Sequence, residues 1–177
     1  MKKLLIVIDM QNDFVTGCLG TKEAKEIVPN VVKLVKDFDG DVWFTRDTHE
    51  ENYLETQEGK KLPVVHCIRN TDGWNIIPEL KDFADKAKKV FNKPTFGSVY
   101  MADEIRRICE SDYTANYDEI YLCGVCTGIC VISNAMLIKA VTPETPIKIV
   151  ANACACVTPE SHETALNAMR TCQIEVV

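Results

Sequence analysis

Three side chains with complementary chemistry follow apolar segments of the sequence. Asp9 comes directly after the apolar residues 4–8, Lys93 follows residues 89–91, and Cys130 lies in the glycine-containing segment 124–130. A nearby cation lowers the pKa of a thiol, and a carboxylate can accept the thiol proton and pass it to a leaving group. The set would suit nucleophilic catalysis. Each residue also has a structural explanation, as a turn cap, a solvated lysine or a buried apolar cysteine.

A second group of side chains has the spacing of a metal site. Asp47 and His49 are two residues apart, so on an extended segment both can face one cation, and His66 follows in the same polar region. Imidazole and carboxylate ligands suit zinc, iron or manganese. Four acidic residues could supply a further ligand, and the others would form a solvated acidic loop: Glu50, Glu51, Glu55 and Glu58.

These groups can meet only if one sheet carries them. Apolar runs predict strands at residues 4–8, 42–45, 89–91, 119–124, 147–151 and 174–177. Apolar spacing and capping residues predict helices at 23–38, 101–109, 127 to about 140, and from Thr158-Pro159 onward. This alternation is typical of a parallel α/β sheet, which binds ligands beyond the carboxyl ends of its strands. The polar, aperiodic residues 47–85 predict a long functional loop.

Thr127 is predicted to cap the helix that carries the candidate nucleophile. Cys130 would then lie in the first helical turn, where unpaired N–H groups and the positive helix end lower the pKa of a thiol. His162 lies in the last predicted helix, between Ser161 and Glu163. We interpret it as a surface residue without a chemical role.

Length and charge exclude several classes of protein. A chain of 177 residues suits a single domain over 1–177, and the net charge of −6 with scattered lysines and arginines argues against nucleic-acid or membrane partners. Residues 4–8 are too short to span a bilayer and lack a signal-peptide cleavage site. Nine cysteines, several in apolar runs, are expected to be reduced thiols in a cytoplasmic protein.

One competing motif predicts different chemistry. Cys123 and Cys126 form a C-x-x-C pair, which could be a thiol–disulfide redox centre. Cys123 lies inside a predicted strand, however, and this function would leave Asp9, Lys93 and the metal-type residues unused. The sequence contains no G-x-G-x-x-G, P-loop or G-x-S-x-G motif, so nucleotide binding and a serine nucleophile lack support.

With these motifs in view, the chain resembles the isochorismatase-like cysteine hydrolases, and within them the nicotinamidases (pyrazinamidases). The resemblance covers nearly the whole chain and rests on LIVIDMQNDF at residues 5–14, on Lys93 and on GVCTGICV at residues 124–131. The metal-type stretch from Asp47 through residues 63–67 favours the nicotinamidases, because many relatives lack it. Gly128 is a departure, since many relatives have aspartate there.

The resemblance implies a three-layer α/β fold, with a six-stranded parallel sheet in the order 3-2-1-4-5-6 and helices on both faces. Asp9, Lys93 and Cys130 would be catalytic. A cis peptide bond would precede Cys126 and turn its N–H toward the site, where it would form an oxyanion hole with the N–H of Cys130.

The resemblance also implies how substrate and metal are held. Phe14 and Phe96 would flank the substrate ring, whereas Trp74 is interpreted as anchoring its loop. The metal ligands that it implies are Asp47, His49, His66 and Glu58, with Glu55 as the second candidate for the acidic ligand. One divalent transition metal is expected, with zinc favoured over iron and manganese.

The function implied is hydrolysis of nicotinamide to nicotinate and ammonia through a cysteine thioester, the metal orienting the substrate by binding the pyridine nitrogen. Three alternatives stay open, of which the first two are hydrolysis of another small amide or ureido compound and the Cys123/Cys126 oxidoreductase. A protein that keeps the fold only for metal binding or interaction is a third. The expected partner is a small-molecule amide, and the family suggests a homo-oligomer.

Overall fold

The computed structural model describes residues 1–111 and 116–177. Its centre is a six-stranded parallel sheet in the order β3-β2-β1-β4-β5-β6, which confirms the expected fold class. The strands are β1 (Lys3–Ile8), β2 (Asp41–Asp47), β3 (Lys89–Lys93), β4 (Glu119–Val125), β5 (Ile147–Ala155) and β6 (Glu175–Val176).

Helices cover both faces of the sheet. They are α1 (Asn12–Val15), α2 (Lys22–Asp37), α3 (Gln57–Lys61), α4 (Pro78–Lys86), α5 (Val99–Ser111), α6 (Ile132–Val141) and α7 (Pro159–Thr171). Helix α2 packs on β4 and β5 and contacts α1 and α4, whereas α6 contacts both α5 and α7. Across the described ranges 1–111 and 116–177, no helix has both the length and the apolarity needed to cross a membrane.

Local sequence explains where the covering helices begin and which side they bury. In α2 the Thr21 side chain caps the N-terminus by accepting from the Ala24 amide, and Ile27, Val31 and Val35 form one buried stripe at i, i+4 spacing. Helix α7 begins with Pro159 after a capping box at Thr158. The amphipathic pattern therefore fixes which face of each helix meets the sheet.

Strand β1 occupies the centre, and residues 4–8 have no exposed surface. It pairs with β2 on one side and with β4 on the other, with Val7 opposite Phe44 and Ile8 opposite Gly124. The strand order reverses between β1 and β4, so a crevice opens beyond their carboxyl ends. The segments that follow these two strands carry Asp9 and Cys130.

Several boundaries differ from the sequence-based predictions. Residues 47–85 are not a continuous loop, because they contain a 3₁₀ turn (Tyr53–Glu55), helix α3 and all but the last residue of α4. Short helices such as α3 bury too few residues to produce a readable apolar period. Lys93 and Asp47 are the last residues of β3 and β2 rather than loop residues, and they pair with each other in the sheet. Strand β5 is longer than expected, running to Ala155.

The cap predicted for the nucleophile helix is wrong. A π-helical segment, Thr127–Val131, precedes α6, and the residue at its N-terminal boundary is Cys126. The Val131 amide donates to the Cys126 carbonyl at 3.1 Å, which is the five-residue span of a π turn. The Thr127 hydroxyl instead lies 2.8 Å from Nδ1 of His162, so His162 is a half-buried contact of this segment rather than a free surface residue.

Candidate active site

The structure brings Asp9, Lys93 and Cys130 into one buried cluster. Nζ of Lys93 lies 2.6 Å from Oδ2 of Asp9 and 3.6 Å from Sγ of Cys130. The Lys93 side chain is only 1% exposed and that of Asp9 is fully buried. A lysine with so little access to water needs carboxylates around it, and it has a second one, Asp47 Oδ1, at 3.6 Å. A carboxylate, a cation and a thiol therefore share one water-poor position at the sheet edge.

Backbone conformation and one hydroxyl set the direction of the Asp9 carboxylate. Asp9 has a φ of 50°, in the left-handed region that few residues other than glycine, asparagine and aspartate adopt. The chain thus turns immediately after β1. The Thr45 hydroxyl in β2 donates to Oδ1 of Asp9 at 2.6 Å and accepts from the Asp9 amide at 3.1 Å. These contacts leave Oδ2 for Lys93.

The pKa shifts in the cluster follow from burial and from the neighbouring charges. Burial raises the pKa of Asp9, with Lys93 opposing it and Asp47 adding to it. Burial would lower the pKa of Lys93, but the charges of Asp9, Cys130 and Asp47 outweigh it and raise that pKa. Lys93 is therefore a permanent cation, and Asp9 is a stronger base than an ordinary aspartate.

The pKa of Cys130 differs from the expectation drawn from its place in the chain. Burial and the charge of Asp9 raise the pKa of the thiol well above its usual value, and Lys93 only partly opposes them. The predicted lowering is wrong for the resting site, because the desolvation of a fully buried thiolate outweighs the stabilisation by Lys93. One lysine charge can balance Asp9 or Cys130 but not both, so the site suits transfer of a single proton from the thiol to Asp9.

The segment around Cys130 is held by its backbone and by one amide side chain. The Val125–Cys126 peptide bond is cis, as the resemblance implied. The Asn134 amide, one helical turn after Cys130, donates to the Cys130 carbonyl at 2.8 Å and to the Phe96 carbonyl at 3.1 Å. Its Oδ1 accepts from the Ser98 amide at 2.8 Å. Asn134 thus ties the nucleophile segment to the loop that carries Phe96, a link that no sequence pattern had indicated.

Beside this cluster, four side chains form a group that could hold a metal ion. Asp47, His49, Glu58 and His66 each offer one ligand atom, and these atoms all lie within 4.8 Å of one another. Nε2 of His49 lies 2.9 Å from Oδ2 of Asp47 and 3.6 Å from Oε1 of Glu58. Helix α3, which the Thr56 side chain caps, brings Glu58 to this position, whereas Glu55 is exposed and lies outside the group.

The donor atoms of these four side chains are better suited to bind a metal ion than to form hydrogen bonds with one another. Nε2 of His49 and Oδ1 of Asp47 are buried and make no hydrogen bond to the described residues, although Nε2 of His49 lies 2.9 Å from the other oxygen of Asp47. Nδ1 of His66 lies 2.7 Å from the Val64 carbonyl, which fixes a proton there and turns the lone pair of Nε2 toward the group. Gln11 holds the Asp47 backbone by accepting from its amide at 2.7 Å and donating to its carbonyl at 2.9 Å. These features suit a transition metal with nitrogen and oxygen ligands.

A cavity of about 700 Å³ joins the two clusters, and its walls include Cys130, Asp47, Glu58 and His66. Asp47 Oδ1 and Cys130 Sγ both lie 3.6 Å from Nζ of Lys93, so they are separated by no more than twice that distance. A single small molecule can therefore reach the thiol and the metal-type group together.

The remaining predicted contact residues line the same cavity. Phe14 packs against His66, with ring centroids 5.5 Å apart, and Phe96 lies near the opening, where it is 46% exposed. Cys126 is also in the wall. Trp74 lies outside the cavity lining: its indole N–H donates to the Thr48 hydroxyl at 2.8 Å and the Arg46 guanidinium stacks on its ring, as a loop anchor would be held.

Two observations bear on the competing C-x-x-C motif. Cys123 is fully buried in β4, outside the lining of the cavity that Cys126 enters. No disulfide joins any of the nine cysteines, all of which belong to the described part of the chain. Cys156 at the end of β5 is a cavity residue that the sequence analysis missed, because that strand was predicted to end at residue 151.

The comparison with known families agrees with this geometry. Residues 3–177 match the family model of the isochorismatase domain. The chain belongs to the isochorismatase family. This isochorismatase-family hydrolase is 28% identical to the nicotinamidase of Saccharomyces cerevisiae, with 76% of this chain and 80% of the yeast protein covered. The predicted family is thereby confirmed.

Solved structures of isochorismatase-family proteins extend the comparison to the fold. The nicotinamidase/pyrazinamidase PncA of Bacillus subtilis is 29% identical and matches with a TM-score of 0.84 over 100% of both chains. The pyrazinamidase of Pyrococcus horikoshii, solved in complex with zinc, is 26% identical with a TM-score of 0.78, and 100% of this chain and 99% of that chain are covered.

Proposed function

We propose that the chain is an amidohydrolase that converts nicotinamide to nicotinate and ammonia. The observation that carries the proposal is the junction of two clusters in one cavity, with Asp9, Lys93 and Cys130 at one side and the metal-type group at the other. The likeness to yeast nicotinamidase supports the choice of substrate. The chemistry of the cluster alone would suit any small amide.

In the first half of the proposed reaction, Cys130 transfers its proton to Asp9 and the thiolate attacks the carboxamide carbon. Lys93 stabilises the negative charge that moves from Asp9 to the sulfur. The backbone N–H groups of Cys126 and Cys130 donate to the oxyanion of the tetrahedral intermediate. Asp9 then protonates the departing amine, which leaves as ammonia, and a thioester remains on Cys130.

In the second half, a water molecule loses a proton to Asp9 as it attacks the thioester carbon. The thiolate of Cys130 leaves, the proton returns from Asp9 to the sulfur, and the product leaves as nicotinic acid, which ionises to nicotinate by losing its proton to solvent. The raised pKa of Asp9 suits both halves, because the same group must both accept and donate a proton. Phe14 and Phe96 flank the pyridine ring and hold the carboxamide over the thiol.

Asp47, His49, Glu58 and His66 would hold one divalent metal, for which we propose zinc. When bound, the ion supplies a Lewis-acidic position for the ring nitrogen and so adds binding energy at the end of the substrate remote from the reacting carbon. The zinc-bound Pyrococcus horikoshii pyrazinamidase supports this identity. The single-domain organisation over 1–177, the cytoplasmic location and the homo-oligomer stay predictions.

The experiment that tests this function compares ammonia release from nicotinamide and benzamide, with zinc-loaded and metal-free protein. Benzamide has the same carboxamide and ring shape but no ring nitrogen. We expect kcat/KM for nicotinamide to exceed that for benzamide only with zinc, and benzamide hydrolysis to be nearly independent of zinc. Equal kcat/KM values for the two amides with zinc present would mean that the metal does not bind the ring nitrogen. Picolinamide, whose nitrogen is placed differently, serves as the matched isomer.

A further inference from the structure

Two cysteines that the proposed hydrolysis does not use as thiols face each other in the wall of the cavity. Strands β4 and β5 are neighbours, and Val125 is paired with Ala155 at their ends. Cys126 directly follows Val125, Cys156 directly follows Ala155, and both cysteines line the cavity. Neighbouring strands lie about 4.8 Å apart, and a disulfide needs a Cα separation of roughly 4.4–6.8 Å. The two cysteines directly follow this last pair of the strands, and their side chains are hydrogen-bonded to each other, so the two sulfurs are in contact.

The surroundings of the Cys156 sulfur favour its ionised form. A hydrogen bond from Cys126 lowers the pKa of Cys156, and the Ser161 side chain and the amides of Gly128 and Val157 add to the effect against the cost of burial. The same interaction and burial raise the pKa of Cys126, which acts as the donor of the pair.

The backbone of Gly128 lies beside this sulfur. A Cβ at Gly128 would lie 3.4 Å from Sγ of Cys156, so the glycine backbone approaches the thiol directly. Cys156 also stands just before the N-terminus of α7, where amide N–H groups and the helix dipole stabilise an anion. Geometry and local electrostatics thus agree on which sulfur of the pair is the reactive one.

We propose that Cys126 and Cys156 are an oxidation site, at which hydrogen peroxide forms a reversible disulfide in the wall of the cavity next to the nucleophile. The established family and the proposed hydrolysis require neither thiol. Peroxide is small enough to enter a cavity of about 700 Å³ that both residues line.

The chemistry balances with peroxide as the only oxidant. The Cys156 thiolate attacks one peroxide oxygen, an S–O bond forms, the O–O bond breaks, and hydroxide leaves to become water with the proton lost by the thiol. The sulfur of Cys126 then attacks the sulfenic acid, an S–S bond forms, the S–O bond breaks, and the second oxygen leaves as water with the Cys126 proton. Two thiols and one peroxide give one disulfide and two waters.

Other cysteine pairs are less suited to this reaction. Cys123 and Cys154 are buried in the sheet and line no part of the cavity, and burial raises the pKa of both thiols. Burial also raises the pKa of Cys130, so in the absence of substrate its thiol is a poorer target for peroxide than Cys156. The disulfide should therefore form selectively between residues 126 and 156.

The test counts thiols, so its outcome does not depend on any substrate. The exposed cysteines Cys18 and Cys172 are first replaced by serine to prevent disulfides between chains. Free thiols are titrated under denaturing conditions before and after treatment with equimolar hydrogen peroxide. We expect peroxide to remove two thiols per chain and dithiothreitol to restore them. In the Cys156→Ser and Cys126→Ser variants peroxide should not remove two thiols. In Cys154→Ala, two residues before Cys156, it should remove two thiols as in the parent.

Peptide mapping identifies the bond. In the Cys154→Ala background the tryptic peptide of residues 149–170 has Cys156 as its one cysteine, so its partner can be read from fragment ions. A link from Cys156 to Cys126 is expected, also when Cys130 is replaced by alanine. A link to Cys130 or Cys123, or loss of thiols in the Cys156→Ser variant equal to the parent, would overturn the proposal. So would a folded parent protein that keeps all its thiols.

The effect on turnover rests on the proposed function and is measured separately. A covalent bond draws the sulfurs closer than a hydrogen bond does and so displaces Cys126, whose N–H is proposed to bind the oxyanion. Peroxide should therefore slow nicotinamide hydrolysis reversibly in the parent but not in Cys156→Ser. If the disulfide forms but the protein does not hydrolyse nicotinamide, only the proposed hydrolase function is refuted. If the protein hydrolyses nicotinamide but no disulfide forms, only the oxidation site is refuted.

Discussion

Replacing Lys93 by methionine tests whether this lysine charge is what makes the Cys130 thiolate accessible. Methionine keeps an unbranched side chain of similar length and removes only the cation. With an effective dielectric constant of about 20, a unit charge at the 3.6 Å between Lys93 Nζ and Cys130 Sγ contributes about 4–5 kcal/mol. That energy corresponds to a rise of roughly three units in the thiol pKa. Asp9, which loses its partner at 2.6 Å, takes up a proton and offsets part of this rise.

The expected result is a fall of about 10²–10³-fold in the rate at which iodoacetamide alkylates Cys130 at neutral pH. Nicotinamide hydrolysis should fall at least as far, because the protonated Asp9 can no longer act as the base. The alkylated peptide is quantified by mass spectrometry, and circular dichroism checks the fold, since breaking a buried ion pair costs about 3–5 kcal/mol of stability.

Lys89→Met is the matched control for this substitution. Lys89 begins the same strand and pairs with Glu104 away from the cavity, and its side chain is partly exposed. It should leave both rates unchanged. A folded Lys93→Met protein whose Cys130 reacts within threefold of the parent rate would refute the argument that Lys93 stabilises the thiolate.

The other predictions concern the nucleophile, the metal group and the base. Cys130→Ala should abolish turnover, whereas Cys126→Ala should keep most of it because only the backbone N–H acts; equal losses would contradict the assignment. Glu58→Gln should weaken zinc binding by at least ~10-fold, because even the loss of a residue that only hydrogen-bonds a metal ligand has that effect. Glu55→Gln should leave zinc affinity unchanged, and titration of both variants with zinc measures the difference. Asp9 must be ionised to accept a proton, so kcat/KM should fall as pH decreases through its raised pKa. Thr45→Val removes a hydrogen bond that lowers the pKa of Asp9, so the acid limb of the kcat/KM–pH profile should move up by about one pH unit. Thr142→Val, which removes a buried hydroxyl remote from the site, is the control. If the acid limb does not move in Thr45→Val, Asp9 is not the titrating group.

Much of the fold could be predicted because its central strands are buried on both faces. Continuous apolar runs such as residues 4–8 are typical of central parallel strands. The strand order was implied by the family resemblance and is confirmed, and it puts Asp9 and Cys130 at the same crevice. The start of α7 was readable from Thr158-Pro159, since capping residues act locally.

Features that depend on tertiary contacts could not be predicted from the sequence. The π-helical entry to α6 depends on the packing of the Thr127–Val131 segment, so the sequence suggested an ordinary cap at Thr127. The role of Thr45 as the partner of Asp9, and the place of Cys156 in the cavity wall, arise only when distant segments meet. The raised pKa of Cys130 has the same origin, because the sequence showed a helix start but not the extent of burial.

The most direct test of the central claim is to trap the covalent intermediate. Zinc-loaded protein is mixed with nicotinamide, quenched with acid during the first turnovers and digested, and the mass of each cysteine peptide is measured. We expect one nicotinoyl group on the peptide that contains Cys130, accompanied by at least an equal amount of ammonia and absent from the Cys130→Ala protein. Ammonia release that persists in Cys130→Ala, or a nicotinoyl group on any other residue, would contradict it.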